Sequence, residues 1–123
     1  MACGGVRAAE PTLLCGFDTK YMCAPGQACS AAPADEILIR FEQGPNLYWR
    51  CEKSSGQCSQ YSVVVSKDGP AAYTNIDITG RGAFAKLGPK GDFTEVVSLG
   101  SKTLISFGQC FDEQMVAEPA PDP

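Results

Sequence analysis

The 123-residue chain contains no histidine. That absence removes the Ser-His-Asp and Cys-His arrangements, which need an imidazole to carry a proton near neutral pH. It also removes every histidine-ligated metal site. No apolar run approaches the roughly 20 residues that cross a bilayer as a helix, so no membrane span is expected. Basic residues are in deficit: Lys+Arg 10 stand against Asp+Glu 14, a formal net charge of −4. This excludes a cationic face for nucleic acid and makes any charge-guided partner a basic one.

Cysteine is plentiful, with Cys 7 in the chain. Structural zinc asks for paired ligands at short spacing, commonly completed by histidine. The close pairs here, Cys23 with Cys29 and Cys51 with Cys58, are spaced too widely for that motif. No metal and no cofactor is therefore expected. Disulfides formed in an oxidising compartment fit better. Residues 1–10 are mostly small and apolar and read as a residual leader, with an A-x-A-like site near Arg7-Ala8-Ala9. The alternatives are an arbitrary N-terminal stretch, or a lipid-modified Cys3 followed by Gly4. Loss of Cys3 with the leader leaves an even cysteine count, as a closed disulfide framework requires. The expected location is periplasmic or secreted, in a bacterial envelope.

From residue 11 the chain alternates apolar and polar residues in short runs, with no helical period. Expected strands cover 12–19, 36–42, 47–52, 59–66, 73–79, 83–87, 92–99 and 103–110, and 30–34 reads as irregular. Between them lie turn signals such as Gln43-Gly44-Pro45-Asn46 and Gly88-Pro89-Lys90-Gly91. About eight strands at this spacing predict an all-β antiparallel meander, a barrel or curled sandwich, stapled by disulfides. The β domain is expected over 11–111. Residues 112–123, acidic and holding Pro119, Pro121 and Pro123, read as a disordered tail.

Six cysteines admit many pairings. Strand order favours Cys51–Cys58 across one hairpin turn, Cys23–Cys29 within one loop, and Cys15–Cys110. The last pair joins the first and last strands, which are neighbours in a closed meander.

No catalytic constellation stands out, and an enzyme is not expected. Asp77 and Glu95 form the one conceivable carboxylate pair, but residues of this type mid-strand are expected on the solvated outer face. Tyr48 and Trp49 are adjacent on a strand, so they point to opposite faces. One enters the core and the other faces outward, where an aromatic serves as a contact.

Ser66, followed by Lys67-Asp68-Gly69-Pro70-Ala71-Ala72-Tyr73, and the later Lys86 carry a resemblance. This stretch resembles the small periplasmic or membrane-anchored inhibitors of c-type lysozyme. That resemblance implies an eight-stranded barrel in which Ser66, Tyr73 and Lys86 contact a lysozyme cleft. Ala72 stands where the family carries a basic residue, and Leu87-Gly88 follows the lysine where the family has glycine directly. The expected function is an exported, non-catalytic protein-binding module, in its sharpest form lysozyme-inhibitor-like, with Tyr48, Trp49, Ser66, Tyr73 and Lys86 as contacts and a basic protein such as lysozyme as partner. It requires a packed interior. The alternatives are a structural envelope protein or a small-ligand carrier, the latter with an unfilled cavity lined by residues such as Ile37, Val63, Ile76 and Val97.

Overall fold

Period-two patterning punctuated by glycine and proline drives this chain into strands rather than helices. The computed structural model describes residues 11–33, 36–69 and 72–113, and within them nine strands carry the fold. In chain order these are β1 (Thr12–Cys23), β2 (Ser30–Ala32), β3 (Ile37–Glu42), β4 (Leu47–Glu52), β5 (Cys58–Asp68), β6 (Tyr73–Ile78), β7 (Ala83–Leu87), β8 (Asp92–Leu99) and β9 (Lys102–Asp112). Consecutive strands from β3 to β9 pair antiparallel, β3 lies against β1, and β9 returns to pair with β1. Eight strands thus close into a barrel, and β2 is a short addition beside the C-terminal half of β1. Of the two architectures expected, the barrel is the one formed.

Beyond shifts of a single residue, the strands depart from the sequence reading at four places. β1 runs on to Cys23 and β5 to Asp68, and Ser30–Ala32 forms a strand on the edge of Lys20–Met22 that faces away from β9, beyond the reach of β3. β9 continues through Asp112, and Glu113 pairs with Arg40 on β3, so the ordered domain reaches past residue 111. The leader expected over 1–10 and the tail from 114 onward lie outside the described residues.

One half of the lumen is filled. Phe17 and Phe93 stack at 5.7 Å between ring centroids, and Phe41 packs on Tyr48 at 6.4 Å. Ile39, Ile76 and Leu87 belong to the same buried cluster. Each such side chain removed from water contributes about 1.5–3 kcal/mol. The Cys15–Cys110 disulfide joins β1 to β9 at this packed end, where the two residues are register partners. The Cys23–Cys29 and Cys51–Cys58 disulfides staple the β1–β2 loop and the β4–β5 hairpin at the opposite end. All three bridges are those expected from strand order. A three-cystine framework in a chain of this size belongs to an oxidising environment. Among the described residues no helix is long and apolar enough to cross a membrane.

A register shift interrupts the β1–β9 ladder. Phe107 faces Thr19 but Gly108 faces Phe17, which leaves Asp18 as an extra residue on β1. Such a bulge flips the alternation beyond it. Cys15 and Phe17 point into the lumen before the bulge, and Lys20 is buried in it afterwards. Gly108 is required here: a Cβ at that position would meet the Gly16 carbonyl and the Phe17 backbone.

Candidate functional site

The inward face of the barrel carries an unusual row. Lys20 on β1 is the register partner of Ser106 on β9, and Ser106 is the partner of Glu95 on β8. All three are buried, with Glu95 only 1% exposed. β4 lies across the lumen from β8 in the closed strand order, and its two inward residues reach over to this carboxylate. The Tyr48 hydroxyl donates to Glu95 Oε2 at 2.6 Å, and Arg50 Nη1 donates to Oε1 at 2.5 Å. A carboxylate is costly to bury unless both oxygens are matched by donors, and this one is. Burial first, then the charge of Glu95 and the hydrogen bond to it, hold the Tyr48 pKa well above the ordinary tyrosine value, with the Arg50 charge working against the shift. Tyr48 is therefore a neutral donor throughout the physiological range.

This cross-barrel strut separates the filled half from an open cup of ≈ 400 Å³. Glu95, Lys20 and Ser106 lie at its base. One wall is apolar and built from Ile78, Ala83, Val97 and Leu104, which are joined through register pairs on β6 to β9. Arg50 on β4, Tyr61 on β5 and Arg81 also line the cup. Arg81 sits in the β6–β7 turn between Gly80 and Gly82, both at positive φ, which glycine adopts without a Cβ clash. Its guanidinium lies over the Tyr61 ring, 4.9 Å from the centroid. A second recess of ≈ 390 Å³ adjoins the first, shares Arg50 and Tyr61 with it, and is bounded by Ile37, Glu52 and Cys58. Among the described residues no three His, Cys, Asp or Glu side chains gather as a metal-ligand set.

The residues singled out from sequence are distributed differently. Tyr48 is the inward member of the Tyr48-Trp49 pair and is fully buried, so it is not a surface contact. Trp49 faces outward, where its indole N–H donates to Glu42 at 3.0 Å. Ser66, Asn75 and Lys86 are in register across β5, β6 and β7, so Ser66 and Lys86 share one outer face. Tyr73 flanks them, its hydroxyl donating to Asp92 at 3.1 Å, a bond that raises its pKa. Trp49 is remote from this group, since it pairs with Gln60, well before Ser66 along β5. Asp77 is exposed, as expected, but Glu95 is not. Glu95 alternates with Phe93 and Val97, and that shared parity was the signal for an inward carboxylate. Of the residues expected around a carrier cavity, Val97 lines the cup and Ile37 the second recess, whereas Val63 and Ile76 are buried in the core and line neither.

Compared with known proteins, the chain matches no family model, and no curated protein or solved structure shows significant similarity to it.

Proposed function

We propose that this chain is an exported, non-catalytic binding barrel that holds a small molecule in the cup above the Tyr48–Glu95–Arg50 strut. The observation carrying this reading is the division of the lumen: one half is packed with aromatics, and the other keeps ≈ 400 Å³ with one apolar wall and convergent polar groups. Eight-stranded barrels have an interior wide enough for one small ligand when side chains do not fill it. The volume lies toward the lower part of the ~300–1,000 Å³ range of ligand pockets, so the ligand is small. The test is titration of the oxidised protein with prodan, a neutral dye whose emission shifts on leaving water. Saturable binding at one site, lost in Ala83→Leu with the melting temperature held, supports the cup. A non-saturable signal, or one indifferent to Ala83→Leu, removes it.

The outer face supports a second reading, a protein-binding module. Ser66, Asn75 and Lys86 form one row across β5 to β7, and the adjacent row presents Val64 and Phe84, which are 62% and 46% exposed. Apolar residues ringed by polar ones suit a protein contact. Its sharpest version, inhibition of c-type lysozyme, is tested by following cell-wall lysis against concentration of the oxidised protein. Stoichiometric inhibition lost in Ser66→Ala/Lys86→Ala favours that version, and full lysis at micromolar excess ends it.

A further inference from the structure

We infer that the cup selects a small amphiphile with an anionic head group, a carboxylate being the simplest case, and that Arg81 supplies the exposed part of its seat. The inference rests on the small-ligand reading above and adds the chemistry of the ligand. The cup lining holds Lys20, Arg50 and Arg81 against a single carboxylate, Glu95. Glu95 is bonded to Arg50, so its charge does not offset Arg81, a cation in the lining of a chain whose formal net charge is −4. Positive charge is thus gathered inside the barrel mouth while the molecule as a whole is acidic. Field lines are focused in a recess with low-dielectric walls, so this local sign governs what enters.

The geometry divides the work. Both oxygens of Glu95 are engaged by Tyr48 and Arg50, so its charge is already answered within the floor. Arg81 makes no ion pair among the described residues. It is held by its face over Tyr61, and face-on stacking leaves the in-plane N–H fork able to take a carboxylate through two parallel bonds. Ile78, Ala83, Val97 and Leu104, the wall whose β6–β7 turn carries Arg81, then receive the apolar body of the ligand. A cationic head would meet the like charge of Arg81, and a neutral one would leave its fork to water.

The inference is tested by calorimetric titration of the full, oxidised chain with octanoate, octanol and octylammonium, which share one alkyl body and differ in head charge. The expected order is octanoate first, by about tenfold over octanol, the scale of one charge-assisted hydrogen-bonded contact, with octylammonium last. Added salt weakens octanoate and leaves octanol nearly unaffected. Arg81→Gln, a change in an exposed turn, lowers octanoate affinity severalfold and narrows its lead over octanol. Equal affinities for octanoate and octanol, or a lead that Arg81→Gln does not narrow, overturn the anionic seat and leave the cup standing. Failure of all three to bind overturns both.

Discussion

Glu95 has two partners of unequal exposure, and this decides what its loss costs. Tyr48 is sealed from solvent, while the Arg50 side chain keeps 28% of its surface exposed. In Glu95→Gln the tyrosine keeps an acceptor, and Arg50 loses the charge of Glu95 but can rehydrate. The expected destabilisation is about 1–3 kcal/mol by urea denaturation, below the ~3–5 kcal/mol of breaking a fully buried pair. Tyr48 also sets an alkaline limit. Its folded-state pKa is raised, so its contribution is complete below the unfolded tyrosine value near pH ~10 and is lost as pH rises from there through the folded value. Urea midpoints measured across that window should fall with pH, and Tyr48→Phe should flatten the fall while lowering stability at neutral pH.

At the scale of elements, strands and hairpins were legible because polar turns and alternation agree locally. β4, β7 and β8 occupy the spans expected from their patterns, and the cysteines match the strand order. The cup was not legible, because its charged floor depends on an event that alternation does not encode. Without the bulge at Asp18, Thr19 and Tyr21 would continue the inward parity of Cys15 and Phe17, and Lys20 would face solvent. The bulge depends on the fit of Gly108 to the opposing backbone, a tertiary contact with no local signature beyond one glycine in a strand. Glu95 is the opposite case: its inward parity was visible, but the general preference of carboxylates for water outweighed it. Gly108→Ala forces a Cβ against main chain that cannot rotate away, and should cost about 1–3 kcal/mol. If the bulge slips to relieve the clash, Lys20 leaves the lumen. Its amine then becomes reactive toward an acylating reagent, which peptide mass mapping would detect.

For the whole molecule, closure matters more than any single contact. The Cys15–Cys110 bridge spans a sequence separation of 95 and ties the seam at which β9 returns to β1. The Cys51–Cys58 bridge spans a separation of only 7. Loop-closure entropy in the unfolded chain gives about 4.7 kcal/mol for a loop of the first order and about 2.5 kcal/mol for the second. Replacing Cys15 and Cys110 by alanine should therefore lower the melting temperature well beyond the same change at Cys51 and Cys58. Equal losses would show that strain or residual unfolded structure, rather than chain entropy, dominates. The seam pair lies at the packed end, away from the cup, so ligand binding by whatever folds in its absence should survive.

The two short-range cystines have another effect through their position. They close the loop and hairpin at the open end, so the aperture of the barrel is fixed covalently on the β1 and β4–β5 sides. An opening framed in this way has little freedom to widen around a bulky guest or to tighten on a thin one. For the ligand proposed above, selection would then work as a gauge of width before any head group is read. Exchange of that ligand would also need no parting of the strand ladder, because the cup is open to one end. On the small-ligand reading proposed above, residence in the barrel should accordingly be brief and nearly independent of fold stability.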